Sequence, residues 1–314
     1  MNISEGNIHA QSEYVTGIIS SIFMIIGIFG NIVTICVLSK RKTKSCFDKL
    51  LTALAVIDLI FLLCWGVQVF SISFGYLSYI YILLLPHFLF PLSSFSFTAS
   101  SLMTVALSVE RFVCVCYPLK FSKRKQKSML YILILIVISL FVKAPHCFVL
   151  ELVWIQGEVK TELNYRQSAF AKSEIYLKYY LVFLTIFTYI LPTLLLVFLN
   201  ARIFLTLKMR NLGRCSERIR CRPKMRREIR MCFVLFFIVA SFVILHLPRT
   251  ILNICDVFNI INQEEFNQLL FYRILIPVSD TGATLNSSIN FIIYWCMAPK
   301  FKKELKSVLF CLCP

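Results

Sequence analysis

Charged residues are scarce in this chain. Asp, Glu, Lys and Arg make up 16% of its 314 residues, against 58% hydrophobic, and the mean hydropathy is +0.77. A soluble domain of this length needs a polar surface that such a composition cannot supply, so lipid must replace water around most of it. Acidic residues are scarcer still, 16 against 33 Lys and Arg, which leaves a formal charge of +17. That excess suggests nucleic acid as a partner, but the basic residues lie in short clusters between apolar runs, a distribution that fits membrane topology instead. Internal repeats, low-complexity segments and a soluble appendage are also missing, so the chain reads as one helical bundle. Cysteine is not scarce, with 13 residues. Yet no spacing makes a zinc site, and most thiols fall in apolar runs or at their inner edges, which excludes a disulfide scaffold. The histidines and acids within the apolar runs form no metal or nucleophile arrangement, and nothing points to an enzyme.

What is present is a series of seven apolar runs, each of the roughly 20-residue length that crosses a bilayer. Helices 1 to 7 are expected over about residues 15–38, 50–74, 82–115, 129–150, 179–205, 229–258 and 269–297. Basic residues fix the orientation. Lys40, Arg41, Lys42 and Lys44 follow helix 1, and Lys120, Lys123, Arg124, Lys125 and Lys127 follow helix 3. A third cluster, Arg214 to Arg227, follows helix 5, and Lys300, Lys302, Lys303 and Lys306 follow helix 7, whereas none precedes helix 1. The N-terminus is therefore expected outside and the C-terminus in the cytoplasm. The chain divides into a short outer tail (1–14), a seven-helix domain (15–297) and a cytoplasmic segment (298–314). The first thirteen residues are polar, so helix 1 is expected to act as an uncleaved anchor. Asn2 opens a glycosylation acceptor, Asn2-Ile3-Ser4, on the outer side. Beyond helix 7, Phe301, Leu305, Val308 and Leu309 share one face and Lys302, Lys303 and Lys306 another, the pattern of a short helix lying on the inner membrane surface. Cys311 and Cys313 beside it are candidates for palmitoylation or plain thiols. The outer loop over 151–173 is polar enough to be solvated.

Several polar residues sit inside apolar runs, where each costs several kcal/mol unless they face one another. Asn31 follows Gly30, Asp58 ends Leu54-Ala55-Val56-Ile57-Asp58, and Asn286, Ser287 and Asn290 crowd one stretch of helix 7. Ser100 lies about three turns outward of Arg111. That arginine belongs to Glu110-Arg111-Phe112, at the inner end of helix 3, followed by Val113-Cys114-Val115-Cys116-Tyr117-Pro118-Leu119-Lys120. With these features the whole chain resembles the rhodopsin-like seven-helix receptors.

The resemblance implies an all-α seven-transmembrane bundle in the plasma membrane that binds an extracellular ligand and signals to a heterotrimeric G protein. It makes Arg111 the switch, with Glu110 beside it and Glu228, opening helix 6, as its resting partner. Positions matching Asp58, Ser100, Asn286, Ser287 and Asn290 surround a sodium ion in that family. Oxygen ligands about one carboxylate suit a hard cation, and a hydrogen-bond network joining the helices without an ion is the alternative. Pro192 and Pro248 break the ladders of helices 5 and 6, so that the inner half of helix 6 can swing. Phe242, two turns below Pro248, matches an aromatic relay residue, and Tyr294 closes Asn290-Phe291-Ile292-Ile293-Tyr294. There are departures. No proline follows Asn290, which puts the bend of helix 7 in doubt. His246 stands where many members have tryptophan, Phe112 replaces a tyrosine, and helix 4 has no tryptophan. Neither the outer end of helix 3 nor the loop 151–173 offers a cysteine, so the family's usual disulfide cannot form.

Ser93 occupies the position where amine receptors carry aspartate, and Thr284 the position of the retinal lysine of opsins, which excludes a Schiff base. Phe47-Asp48-Lys49-Leu50-Leu51, Ala144-Pro145-His146-Cys147-Phe148, Thr161-Glu162-Leu163-Asn164, Leu247-Pro248-Arg249 and the helix 7 run from Asn286 to Tyr294 resemble invertebrate FMRFamide-type peptide receptors. An amidated peptide ending in Arg-Phe needs a carboxylate and an aromatic slot. Asp280 lies near the bundle mouth, with Gln68, Ser93, His246, Arg249 and Asn253 as further ligand contacts. Asp280 pairs either with a ligand cation or with Arg249. A chemosensory receptor of the same fold is one alternative; a transporter is another, favoured by paired discontinuous helices or a repeated half. The basic loop 214–230 touches the cytoplasmic partner or anionic lipid, or serves topology alone.

Overall fold

Runs of Leu, Ile, Val and Phe with few breakers fold into seven long helices. In the computed structural model, residues 3–41, 45–75, 78–119, 128–156, 161–213, 222–258, 270–297 and 299–312 are described. Helix 1 spans Ile3–Ser39 and helix 2 Cys46–Phe74. Helix 3 joins Tyr79–Leu84 to Phe90–Cys116 through a π turn at Leu85–Leu89. Helix 4 is Ser128–Lys143, closed by a 3-10 turn at Ala144–Phe148. Helix 5 strings together Ile175–Tyr180, Leu181–Leu184, Thr185–Ile190 and Leu191–Gly213, the first and third of these in π geometry. Helix 6 is Arg222–Phe258, helix 7 Leu270–Met297 and helix 8 Pro299–Leu312. The first six helices are long and apolar enough to cross a membrane. Helix 7 is 28 residues long and carries more polar side chains, which face its neighbours.

The bundle is apolar outside and polar within. Phe141 is 79% exposed and Ile25 69%, whereas Asp58, Ser96 and Ser108 are wholly buried. Such an inside-out arrangement is stable only with hydrocarbon around it. Between the helices the largest apolar cluster among the described residues holds Leu54, Met103, Leu107, Leu196, Leu235 and Phe242, all but inaccessible. At Gly282 an added Cβ would stand 2.7 Å from the Leu245 carbonyl oxygen, so glycine there is what lets helices 6 and 7 touch backbone to backbone.

Local chemistry sets the breaks. Ser45 caps helix 2 through the Asp48 amide, and Asp48 returns the bond to the Ser45 amide, a reciprocal capping box. Gly75 ends that helix in the left-handed region, φ 66°, where a residue without Cβ is unstrained. Pro86 lacks an N–H and crowds the carbonyl four residues back, and the wider π turn at Leu85–Leu89 relieves both problems. The π turn at Thr185–Ile190 does the same ahead of Pro192. Pro248 lies inside helix 6, as expected, and Pro277 inside helix 7.

Some boundaries differ from expectation. Helix 1 begins at Ile3 and helix 6 at Arg222, so helix continues through polar residues that hydropathy alone assigns to tails and loops. Helix 4 stops at Lys143 rather than near 150, because Pro145 disfavours α geometry in the residue before it. The outer loop is a hairpin: β1 (Leu150–Gln156) pairs antiparallel with β2 (Thr161–Gln167). Its stabilising cross-strand pairs, Leu152 with Tyr165 and Trp154 with Leu163, follow the period-2 spacing of strands. Among the described residues no disulfide ties this hairpin down. Packing replaces it: Leu150 and Tyr165 lie against Tyr81, Leu85 and Leu89 of helix 3, and Ser168 bonds the Phe148 and Val149 carbonyls.

Helix 8 buries Phe301 and Leu305 against the core and leaves Lys302, Lys303 and Lys306 exposed. Arg41 bridges Asp48 of helix 2 and Glu304 of helix 8, which fixes helix 8 beneath helices 1 and 2. Asn2, Cys313 and residues 214–221 of the basic loop lie outside the described residues, as do the side chains of Glu228 and Cys311.

Candidate functional site

Three polar or aromatic centres lie along the bundle axis. The middle one is built on Asp58. Its Oδ1 accepts from the Ser100 hydroxyl at 2.6 Å and its Oδ2 from the Asn290 amide at 2.9 Å. Ser287 faces the same carboxylate. Asn31 donates to the Gly27 and Ser287 carbonyls at 2.9 and 3.0 Å, so the seam joins helices 1, 2, 3 and 7. Asn286 is buried nearby but forms no hydrogen bond to Asp58 among the described residues. The expected network is therefore present through Ser100, Ser287 and Asn290. Among the described residues no cationic side chain neutralises Asp58.

At the far end of helix 3 from the hairpin, Arg111 is 8% exposed. Its Nε lies 3.0 Å from Glu110 Oε2, and its guanidinium carbon sits 3.8 Å from the centre of the Phe47 ring. A guanidinium over an aromatic face gains electrostatically, the more so when desolvated. The sequence reading gave Arg111 Glu228 as its partner across the bundle; Phe47 is a partner it missed. Phe112 packs edge-on against Tyr117, an aromatic contact that needs no hydroxyl on residue 112. Tyr294 is buried with its ring 6.0 Å from Phe301 of helix 8.

The third centre is a cavity at the hairpin end. Phe61, Trp65, Phe90, Phe97 and Tyr189 form an aromatic wall, and Ser93, Lys143, His146, Arg249 and Asp280 supply polar groups. Arg249 approaches Asp280 Oδ1 at 3.5 Å, and Ser279 is directed at the same oxygen. Asp280 Oδ2 has no partner among the described residues. Of the six expected ligand contacts, Ser93, Arg249 and Asp280 line this cavity. Gln68 does not: its amide is consumed by the Cys64 and Leu89 carbonyls and by Ser93 Oγ at 3.0 Å, which makes it a brace behind Ser93. Asn253 is half-buried outside the lining. His246 lies beneath the cavity, its Nδ1–H donating to the Phe242 carbonyl at 3.0 Å.

His246 is also the link between the centres. Its ring lies 5.0 Å from Phe97, which lines the cavity, and stacks 4.0 Å from Phe242, which is sunk in the core. The imidazole thus fills a tryptophan-sized role with a smaller ring whose polar edge is satisfied by its own helix. Lys143 and His146 were missed by the sequence reading because the expected helix 4 ran straight across them. A lysine inside an otherwise apolar span was the signal.

Comparison with known proteins gives the same architecture. A family model described as 7 transmembrane receptor (rhodopsin family) matches residues 30–294. The FMRFamide receptor of Drosophila melanogaster is 30% identical over 311 aligned residues, covering 95% of this chain and 54% of that protein. The chain thus spans about half the length of that relative. With Arg111 at the base of helix 3, a polar seam at mid-bundle and a cavity at the opposite end, this multi-pass membrane protein belongs to the rhodopsin family of seven-transmembrane receptors, a family of receptors and not of enzymes.

Proposed function

We propose that this chain is a plasma-membrane receptor for an amidated neuropeptide ending in Arg-Phe, with the hairpin end outside and the Arg111 end facing a heterotrimeric G protein. The observation that carries the reading is the open Oδ2 of Asp280 beside an aromatic wall. A ligand guanidinium takes that oxygen while Arg249 keeps the other, and a ligand phenyl ring fills the slot between Phe61, Phe97 and Tyr189. Both earlier alternatives for Asp280 are then compatible: it serves Arg249 and the ligand at once. Likeness to the Drosophila FMRFamide receptor supports the same ligand class. Ligand pressing on Phe97 displaces His246 and Phe242, and helix 6, weakened at Pro248, moves away from Arg111.

Screening amidated peptides against cells expressing the chain, with a calcium or cyclic-nucleotide readout, tests this. A peptide ending in Arg-Phe-amide is expected to be active, and Asp280→Lys to lower its potency about tenfold or more, the value of a hydrogen bond to a charged group. Activity confined to small environmental molecules, or full peptide potency in Asp280→Lys, would contradict the assignment.

Sodium at Asp58 is part of the same proposal. A wholly buried carboxylate with only neutral partners suits a monovalent cation, which Ser100, Ser287, Asn286 and Asn290 would help hold through oxygen. The ion would neutralise Asp58. Asn2 glycosylation, acylation of Cys311 and Cys313, and contact of the basic loop with lipid or G protein remain proposals made from the sequence.

A further inference from the structure

The cavity holds one charge that the peptide reading does not use. Lys143 ends helix 4, is 6% exposed and lines the cavity with Arg249 and Asp280. Among the described residues no hydrogen bond or ion pair reaches its ammonium. Asp280 is directed to Arg249 and Glu151 to Arg166. Arg249, a charge of the same sign, lines the same cavity. Among the described residues, two cations, Lys143 and Arg249, line the cavity with one anion, Asp280. Burying an ammonium without an anion is costly, and a site that keeps one is short of a negative group.

The turn holding Lys143 is rigid. Tyr180 donates its hydroxyl proton to the Val142 carbonyl at 2.8 Å, so the 3.1 Å contact with His146 must be donated by His146 Nδ1–H. Phe90 stacks on that imidazole. The residues flanking Lys143 in sequence are thus pinned to helices 3 and 5. A second donor on the cavity wall, the indole N–H of Trp65, also has no acceptor among the described residues. Two donors on this wall, the Lys143 ammonium and the Trp65 indole, thus lack an acceptor among the described residues, an arrangement suited to receiving an anionic or oxygen-rich group.

Building on the peptide reading, we infer that Lys143 is a specificity-determining residue that pairs with a carboxylate of the ligand, so that the receptor prefers peptides with an acidic side chain close to the amidated Arg-Phe end. Asp280 takes the ligand cation from helix 7, and Lys143 takes the ligand anion from helix 4. The two together fix the direction in which the peptide lies. A peptide offering only the cation leaves Lys143 buried and unpaired, and binds less tightly.

The test uses the full chain and two probes. In the first arm, an Asp is walked through the positions preceding Arg-Phe-amide, and each peptide is compared with its Asn counterpart. Wild type is expected to prefer Asp at one position by tenfold or more. Lys143→Gln is expected to abolish that preference by weakening the Asp peptide alone, and Lys143→Arg to keep it. Wild type without any Asp preference, or a loss in Lys143→Gln that is equal for both peptides, overturns the assignment. The second arm needs no agonist. N-acetylphenylalanine is expected to raise the thermal midpoint of the purified receptor more than its amide does, with the difference gone in Lys143→Gln; no difference in wild type overturns the assignment. Should no amidated peptide activate the receptor while the acid-over-amide difference holds, the ligand class proposed above falls and the Lys143 anion site stands. Should peptides activate without either acid preference, the reverse is true.

Discussion

Replacing Arg111 with alanine is expected to abolish the cellular response while peptide still binds. Arg111 is a cation at 8% exposure, with Glu110 and the Phe47 ring among its neighbours. Neither neighbour touches the cavity, so the binding energy available there does not depend on them. What depends on Arg111 is the surface that opens when helix 6 leaves: a buried guanidinium becomes available to an acceptor on the partner. The companion variant, Glu110→Gln, acts in the opposite direction. It removes the charge that holds the guanidinium in place, and a contact of this kind contributes about 1.5 kcal/mol or more. That is roughly a tenfold shift of the resting equilibrium toward signalling. Phe47→Ala should move the equilibrium the same way by a smaller factor, since the stacked cation contributes about 1–2 kcal/mol. Labelled-peptide binding and the calcium or cyclic-nucleotide response, read in the same cells, separate the effects. A normal maximal response from Arg111→Ala would end its role as the switch.

The second large effect is expected at Asp58. Truncation to alanine leaves the Ser100 hydroxyl and the Asn290 amide without an acceptor in a site of zero exposure. Each stranded donor costs about 1–3 kcal/mol, so Asp58→Ala should lose most of its surface expression and melt earlier than wild type. Asp58→Asn has nearly the same shape and keeps an acceptor oxygen, so it should fold. It lacks the charge that would attract a cation. Replacing sodium with choline is therefore expected to change peptide affinity about tenfold in wild type, the usual size of coupling between two sites, and to leave Asp58→Asn unmoved. A sodium effect of the same size in both would place the ion elsewhere.

Much of the bundle could be read from the sequence because lipid simplifies the problem. Any polar side chain in an apolar run must find a partner, and Asp58, Ser100, Ser287 and Asn290 do so. Prolines 192 and 248 were likewise readable, since a missing N–H has the same consequence in any helix. Other features depend on which helix lies beside which. Phe47 became the partner of Arg111 only when helices 2 and 3 were brought together. Gln68 had the depth of a ligand contact but turned out to spend its amide on Ser93 and the backbone. The hairpin was hidden because its polar content suggested solvation, while Leu152, Trp154, Leu163 and Tyr165 carried the alternation of strands. Lys143 was hidden by its span: the apolar run expected over about residues 129–150 carries that single charge.

The central claim is that filling the cavity drives the inner half of helix 6 away from the Arg111 end of the bundle. Met129 on helix 4 and Phe233 on helix 6 are exposed at that end, at 66% and 49%. Unnatural amino acids carrying spin labels can be placed there without disturbing the native thiols. The distance between the labels, measured with and without a saturating active peptide, is the most direct test. A lengthening of several ångströms on peptide binding is expected, and it should be lost in Asp280→Lys at the same peptide concentration. An unchanged distance in a receptor that still signals would contradict the account.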